Sequence, residues 1–332
     1  MYQIIPKRKI WLSFSSLLVV AGIVSLFMWG LNFGLDFTGG SLLEIKFLGE
    51  RPTVTEVQDA TNDLELGSLT VQPVGEKGMI LRFQNTEEKK HQEVLSALRN
   101  IHQEGREATS SEDSITQNMK DVEIDVESTG QESIVVGEAK NVLEELRYDS
   151  VGPSIGEELK RKSIYAIITV LIFVVLYIAL VFRKVSRPVS SWKYGLTAII
   201  ALFHDVIIVL GVFAALGYFY NIEINTPFVA ALLTVLGYSV NDTIVVFDRI
   251  RENLPKSDED FEGTINTSVN QTLTRSVYTS VTTLLVLLSI FFFGGATIRD
   301  FVLALSVGVF IGTYSSIFLA SPLLVVWEKF NK

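Results

Sequence analysis

The sequence predicts an α-helical membrane protein with six transmembrane helices and an α/β, ferredoxin-like extracytoplasmic domain inserted between helices 1 and 2. The chain is 48% hydrophobic yet 20% charged, and its mean hydropathy is +0.36. These values require the two classes of residue to be segregated along the chain. Uncharged runs of about 18 to 25 residues alternate with charged stretches, and a helix of about 20 apolar residues crosses a bilayer. The longest charged stretch, residues 32–157, follows the first apolar run.

Six apolar runs are predicted to span the membrane. They cover residues 10–31, 163–182, 195–216, 227–247, 276–293 and 301–326. Trp11 and Trp29 bracket the first run, Trp192 precedes the third and Trp327 follows the sixth, which is typical of the membrane–water interface. The first run is too long for the apolar core of a signal peptide, and no A-x-A-like cleavage site follows it. We therefore expect it to be a retained anchor.

Lysine and arginine in the short loops predict the orientation, because cytoplasmic loops carry an excess of both. The basic residues of the termini and of the loops after spans two and four are Lys7, Arg8, Lys9, Arg183, Lys184, Arg187, Lys193, Arg249, Arg251, Lys256, Lys329 and Lys332. Six crossings place all of them on one side. Both termini are therefore predicted to be cytoplasmic and the large domain extracytoplasmic. Lys160, Arg161 and Lys162 lie on the opposite side, where we expect the polar face of an interfacial helix.

Residues 32–157 are predicted to form a small acidic α/β domain. They contain about 25 acidic and about 11 basic residues, although the whole chain has a net charge of only −9. Strands are predicted at 41–48, 68–74 and 79–83, helices at 53–66 and 86–101, and further strand, helix and strand signals between 122 and 151. This order resembles two β-α-β units with helices layered on one sheet. The acidic surface fits either a solvated face or a docking surface.

Several classes of function are excluded or disfavoured by the composition. The chain has no cysteine, so thiol nucleophiles, disulfides and cysteine metal sites are excluded. It has no P-loop sequence for ATP and no basic stripe for nucleic acid. We expect no cofactor, no metal and no catalytic residue, and the energy for any work must come from another source.

Ionisable residues within the predicted spans are the candidate functional residues, because charges at membrane depth are costly and usually line a bundle interior or a water path. His204 and Asp205 lie in the third span. The fourth span contains Ser239, Asn241, Asp242 and Thr243, of which Ser239, Asp242 and Thr243 share one helical face. Arg275 begins the fifth span at the depth of Asp242.

Asp242 is predicted to load and release a proton. A low-dielectric environment disfavours the ionised carboxyl, whereas a nearby arginine such as Arg275 favours it, so a moving helix or water alters the balance. The structural alternative for Asp242 is a static ion pair or hydrogen bond between helices, and for His204 a structural hydrogen bond is favoured over a functional role. Asp205 and Asp242 also raise the possibility of an intramembrane aspartyl protease, but the Gly-x-Gly-Asp pattern of that class is absent.

Five segments resemble the SecF proteins of the SecD/SecF family, which are bacterial protein-export membrane subunits. They are LNFGLDFTGG at residues 31–40, VGPSIG at 151–156, ALFHDV at 201–206, LGYSVNDTIVVFDRIREN at 236–253 and QTLTRSVYTS at 271–280. The resemblance runs nearly end to end and divides the chain into residues 1–31, 32–157 and 158–332. The chain departs from the family pattern at about residues 104–134, where the domain is expanded by a polar insertion.

The resemblance implies half of a resistance-nodulation-division transporter, located in the bacterial cytoplasmic membrane. The partners that it implies are SecD, the SecYEG translocon, translocating unfolded preproteins and membrane lipid. It implies that Asp242 carries protons and that Arg275 is its charge partner in proton-driven export. Two alternatives are an efflux transporter half of the same superfamily and a membrane scaffold that transports nothing.

Overall fold

The computed structural model describes residues 1–84, 87–107, 143–181 and 191–329, with the backbone alone at 102–107, 179, 191, 296 and 297. The chain divides into two compact units. One is Met1–Phe37 together with Glu158–Lys332, and the other is Thr38–Glu157. The predicted elements between 122 and 142, most of the 104–134 insertion and the basic residues at 183, 184, 187 and 332 lie outside the described residues.

The first unit is a bundle of long helices. They are α1 (Arg8–Trp29), α5 (Pro153–Val181), α6 (Ser191–Tyr220), α7 (Thr226–Asn253), α8 (Phe261–Phe293) and α9 (Ala296–Ser315), and α9 continues through a π-helix (Ser316–Ala320) into α10 (Ser321–Lys329). A short helix, α2 (Leu35–Thr38), follows α1. Within the described residues, six helical segments are long and apolar enough to cross a membrane, which confirms the predicted number of spans.

Several helices extend beyond the predicted spans. The helix α5 begins at Pro153, so Lys160, Arg161 and Lys162 lie on the same continuous helix as the second span. These three residues are therefore helical, as expected, and their position at the membrane interface stays a prediction. A charged residue on the first turns of α5 can pair along the helix, as the Lys162 ammonium does with the Glu158 carboxylate at 2.7 Å.

Small residues allow α1 to lie directly against α6. A Cβ atom built at Gly211 would be 2.4 Å from the Cα atom of Gly22, so these backbones approach too closely for any side chain between them. The Ser25 hydroxyl donates to the Gly211 carbonyl at 2.6 Å. Close packing through small residues is a common way for membrane helices to associate.

Other helices leave most of their apolar surface outside the unit. In the most apolar stretch of α5 only 6% of the residues are buried, and in that of α8 only 11%, against 56% in α6. Both stretches are apolar enough to cross a membrane, so their outward faces suit lipid or another apolar helix.

The described part of the second unit contains a four-stranded antiparallel sheet with two α-helices packed on it. In chain order its elements are β1 (Gly40–Phe47), α3 (Val54–Thr61), β2 (Thr70–Val74), β3 (Gly78–Phe83), α4 (Glu88–Glu107) and β4 (Leu143–Val151). The strand order is β2-β3-β1-β4, and every neighbouring pair is antiparallel. This is the split β-α-β arrangement of the ferredoxin-like fold.

One face of this sheet forms the core with α3 and α4. Leu43, Ile45 and Phe47 alternate along β1 and are fully buried with Val94 and Leu98 of α4. Gly39 immediately precedes β1, and Gly40, the first residue of this strand, pairs with Val151 at the end of β4. Gly39 has a φ of +70°, and a Cβ atom there would be 2.9 Å from Pro153 Cα. Residues 39–40 at the start of the domain therefore contact residues 151–153 at its end, and only glycine fits at position 39.

The start of α3 shows how the local sequence fixes an element. The Thr53 hydroxyl accepts from the Glu56 backbone N–H, and the Glu56 carboxylate accepts from the Thr53 backbone N–H at 2.7 Å. This reciprocal capping box satisfies two donors that the helix leaves unpaired. The bond from the Thr53 N–H holds the pKa of the Glu56 carboxyl below its ordinary value.

Candidate functional site

The helices α6, α7, α8 and α9 bring buried polar side chains together in the interior of the first unit. We call this set the polar cluster. Its members are His204, Asp205, Ser239, Asp242, Thr243, Ser276, Ser315 and Ser316, all of them buried. The sequence places Ser239, Asp242 and Thr243 on one face of α7, and each of them contacts a different helix.

Asp205 is completely buried and fully hydrogen-bonded. Its Oδ2 accepts from the hydroxyls of Ser239 at 2.5 Å and Ser315 at 2.9 Å, and its Oδ1 lies 2.9 Å from His204 Nδ1. These donors come from α6, α7 and α9. Because both oxygens have partners on several helices, Asp205 holds the bundle together in one arrangement.

Asp242 has a different environment from Asp205. Its side chain is 8% exposed, and its Oδ1 accepts from the Ser276 hydroxyl of α8 at 2.7 Å. Its Oδ2 is buried and has no hydrogen-bond partner among the residues that the structure describes. A buried ionised carboxylate with one donor is costly, so this site favours a group that can bind a proton or recruit a donor.

The π-helix begins where the sixth span meets the polar cluster. Thr243 and Ser316 hydroxyls lie 2.9 Å apart, and Ser316 also donates to the Gly312 carbonyl at 2.9 Å. Single turns of π-helix occur frequently at functional sites because the extra residue redirects neighbouring side chains. Here α9 ends at Ser315, which contacts Asp205, and the π-helix begins at the next residue, Ser316.

Two glycines bring α9 close to α7 beside this cluster. A Cβ atom at Gly312 would lie 3.0 Å from the Ser239 Cβ, and one at Gly308 would lie 2.1 Å from the Val235 Cγ2. The hydrogen bonds of Ser315 and Ser316 depend on this spacing, since serine side chains are short.

A further layer of hydroxyls joins the same helices one turn away. Tyr238 Oη lies 3.0 Å from Ser280 Oγ, which in turn lies 2.5 Å from Thr313 Oγ1. The Ser280 hydroxyl also donates to the Ser276 carbonyl at 2.8 Å. The polar contacts thus continue along α8 from the serine that bonds Asp242.

The structure does not bring Arg275 to Asp242. The Arg275 side chain is exposed, and within the described part of the chain it forms no ion pair. The expected Asp242–Arg275 contact is therefore absent here. Arg275 precedes Ser276 by one residue, so when Ser276 faces inward the arginine is turned about 100° away around α8.

Asn241 is also separate from the polar cluster. Its side chain is exposed on α7, because it is adjacent in sequence to Asp242 and therefore points to another face of the helix. His204 belongs to the cluster, and its Nε2 is buried without a partner among the described residues. Its ring lies over that of Tyr314, with the centroids 6.3 Å apart.

The amino end of α7 is fixed by residues that the sequence reasoning did not single out. The Asp36 carboxylate accepts from the Thr226 backbone N–H at 2.8 Å, and Asn225 caps the Phe228 N–H at 3.2 Å. The Ile224 N–H donates to the Asn32 carbonyl at 2.7 Å. The segment that leads into β1 is thus attached to the helix that carries Asp242.

Sequence reasoning also missed Ser276, Ser315 and Ser316. Hydroxyl residues are common in membrane helices, so their presence alone did not distinguish them. For Ser316 the sequence did hold a usable signal. Gly308, Gly312 and Ser316 recur every four residues, and this spacing predicts a face of small residues on one helix.

Comparison with known proteins identifies the family of the chain. Residues 132–330 match the C-terminal family of the protein export membrane proteins SecD and SecF, and residues 24–47 match the SecD/SecF GG motif. The chain belongs to the SecD/SecF family. The family resemblance seen in the sequence is therefore confirmed.

Relatives align over nearly the whole chain. It is 41% identical to the protein translocase subunit SecF of Thermobaculum terrenum, covering 99% of this chain and 95% of the relative. It is 37% identical to SecF of Haemophilus influenzae, with coverage of 96% and 83%. The SecDF of Thermus thermophilus is 37% identical, with coverage of 95% of this chain and 36% of the relative.

A solved structure of the same family shares the fold. The crystal structure of SecDF from Thermus thermophilus, described as a translocon-associated membrane protein, matches with a TM-score of 0.71 and 30% identity. The match covers 99% of this chain and 39% of that one. In that relative a SecF-like segment and a longer remainder form one polypeptide.

Proposed function

We propose that the chain is a subunit of a protein translocase that uses the proton motive force to assist export across the cytoplasmic membrane. Asp242 is the proposed proton carrier. The observation that carries the proposal is its buried carboxyl, which accepts a hydrogen bond from Ser276 and has one oxygen with no hydrogen-bond partner among the described residues. Relatives named protein translocase subunit SecF support the process.

The energetics of this proposal are adequate. One elementary charge crossing a potential of 100 mV releases about 2.3 kcal/mol. A few protons per cycle can therefore shift a conformational equilibrium of several kcal/mol. The polar cluster links Asp242 through Ser276 to α8 and through its neighbours on α7 to α9, so a change in its charge alters contacts between helices.

Arg275 keeps its proposed role as the charge partner of Asp242, but only in another conformation. Its guanidinium is exposed in this structure, so α8 must turn or shift before the two side chains meet. A charge that approaches Asp242 in one state and leaves it in another would favour the ionised and neutral carboxyl in turn.

The partners and placement belong to the same proposal. A SecD half supplies the matching helices, in line with the SecDF relative in which both are one chain. We place both termini in the cytoplasm and residues 32–157 outside the membrane, where they act with SecYEG on unfolded preproteins. The outward apolar faces of α5 and α8 suit the partner half or lipid.

The test is proton-driven export in membrane vesicles that contain the assembled complex with Asp242→Asn. Asparagine keeps the shape and the acceptor for Ser276 but cannot ionise. We expect loss of the component of export that depends on the proton gradient, with normal co-purification of the partner half. Asp248→Asn is the control, because Asp248 lies on the same helix and is exposed.

Other outcomes separate the alternatives. Normal gradient-driven export by Asp242→Asn excludes Asp242 as the carrier. Loss of co-purification in that variant supports a scaffold. Loss of small-molecule efflux, with protein export unchanged in cells lacking the chain, supports an efflux transporter half.

A further inference from the structure

A groove lies between the N-terminal segment (residues 1–7), the first turn of α1, α8 and the π-helix. We call it the amino-terminal groove, and its cavity volume is about 510 Å³. Volumes of about 300–1,000 Å³ are usual for sites that bind small molecules. The lining residues are Tyr2, Gln3, Ile4, Lys7, Trp11, Leu273, Thr274, Val277, Tyr278 and Phe318.

The wall formed by the N-terminal segment is fixed to α8 by hydrogen bonds. The Tyr2 N–H donates to Asn270 Oδ1 at 2.7 Å, and Asn270 Nδ2 donates to the Tyr2 carbonyl at 2.9 Å. The N–H groups of Ile4 and Ile5 both donate to Asn266 Oδ1 at 3.1 Å. Asn266 and Asn270 are one turn apart on α8, so the segment runs along the helix. These hydrogen bonds hold the wall of the groove in place.

The floor of the groove is apolar. Ile4 is buried, and the Trp11 and Phe318 rings lie with their centroids 4.4 Å apart. On the α8 side, Val277 and Tyr278 are exposed on the first turns of the predicted fifth span. The groove therefore continues onto a helix surface that is apolar enough to face hydrocarbon.

The charge of the groove is positive. Among the described residues that line it, Lys7 is the one that is charged, and none is acidic. Within the described residues, the Lys7 ammonium forms no ion pair, whereas the neighbouring Arg8 is paired with Glu262. An apolar channel with one free cation at its rim matches a molecule with a long apolar tail and an anionic head.

The groove also lies at the depth where such a molecule is found. Lys7 immediately precedes α1, and Trp11 is in the first turn of this helix. Lysine and tryptophan at the end of a span mark the boundary between headgroups and hydrocarbon. Basic pockets between membrane helices bind anionic lipid headgroups.

We propose that the amino-terminal groove holds one anionic phospholipid. An acyl chain lies along Ile4, Leu273, Val277 and Phe318, and the headgroup phosphate is bound by Lys7 at the rim. The site is independent of proton transfer at Asp242, and it would fix the N-terminal segment and the π-helix to the membrane at one point.

Native mass spectrometry of the full-length chain, released from mixed phosphatidylglycerol and phosphatidylcholine, tests this proposal. We expect one retained phosphatidylglycerol in preference to phosphatidylcholine. Lys7→Gln is expected to weaken retention about fivefold, the effect of one basic residue near an anionic surface. Lys9→Gln is the matched control. It removes the same charge two residues further along the chain, and the Lys9 side chain does not line the groove.

A second variant tests the acyl-chain part separately. Val277→Trp narrows the groove from the α8 side without changing charge and is expected to reduce retention of both lipids, with normal helicity by circular dichroism. Three results would overturn the proposal: equal loss in Lys7→Gln and Lys9→Gln, no preference for phosphatidylglycerol, or displacement of the lipid by inorganic phosphate alone. A second protein copy retained in place of lipid would overturn it as well.

Discussion

Two buried aspartates of the same bundle have opposite hydrogen-bonding environments. Asp205 receives donors from Ser239, Ser315 and His204 and has no oxygen left without a partner. Asp242 accepts a hydrogen bond from Ser276 and has the Ser316 hydroxyl nearby, but its second buried oxygen has no hydrogen-bond partner in the described structure. A saturated carboxylate contributes rigidity, whereas an unsaturated one can respond to a proton. We therefore propose a structural role for Asp205 and a coupling role for Asp242.

This assignment predicts different effects on stability. Asp205→Ala leaves the buried Ser239 hydroxyl without its acceptor and the Ser315 hydroxyl with only the Gly312 carbonyl, and we expect a loss of about 1–3 kcal/mol in the free energy of unfolding. Asp242→Asn retains an acceptor for Ser276 and is expected to be close to wild type. Thermal unfolding of the purified chain, followed by tryptophan fluorescence, measures both. Equal destabilisation by the two substitutions would contradict the division of roles.

At the scale of elements, the contact between α7 and α9 depends on glycine. Gly308→Ala places a Cβ atom 2.1 Å from the Val235 Cγ2, and a β-branched side chain cannot rotate away without strain. We expect a destabilisation of about 1–3 kcal/mol, measured by the midpoint of thermal unfolding.

Gly237→Ala is the matched control for this substitution. A Cβ atom there meets nothing within 4 Å, and alanine favours a helix over glycine by about 1 kcal/mol. We expect this variant to be as stable as wild type or more stable. A stable Gly308→Ala variant would show that the two helices are not held at the observed distance.

The amino end of α7 leads to a second prediction about an element. Asp36 places a carboxylate on the Thr226 N–H at the positive end of the helix dipole. Asp36→Ala should raise hydrogen exchange in the first turn of α7, with a cost of about 1 kcal/mol. Asp36→Asn keeps the acceptor and should give an intermediate value. Unchanged hydrogen exchange in Asp36→Ala would show that the Asp36 carboxylate does not hold the first turn of α7.

The elements also show what a sequence can and cannot predict. Apolar runs identified all six spans, but α8 begins at Phe261, well before the run that starts at 276. Its first half is polar because residues such as Asn266 and Asn270 bond the N-terminal segment. Such long-range partners are not encoded in hydropathy. The alternation along β1 and the helical spacing of α3 predicted the ferredoxin-like sheet, because burial on one face imposes those periods.

The site was predictable in part for the same reason. The face of Ser239, Asp242 and Thr243 follows from helical spacing and is confirmed as buried. The contact of Asp242 with Arg275 required knowing the rotation of α8, which the sequence does not give. Ser276, the residue beside Arg275, faces Asp242 instead.

At the scale of the whole molecule, the segment between α1 and β1 is bonded to the helix that carries Asp242. The segment from Asn32 to Asp36 is bonded to the start of α7, and α7 carries Asp242 further along the same continuous helix. A displacement of α7 is therefore expected to move the segment from Asn32 to Asp36 with it. The proposed proton coupling predicts this movement.

The most direct measurement is infrared difference spectroscopy of the assembled complex in membranes, with and without an imposed proton gradient. The proton-coupling account predicts a carboxylic-acid band that changes with the gradient, is absent in Asp242→Asn and is unchanged in Asp248→Asn. A spectrum in which the Asp242 carboxyl stays in one protonation state, whatever the gradient, would contradict it.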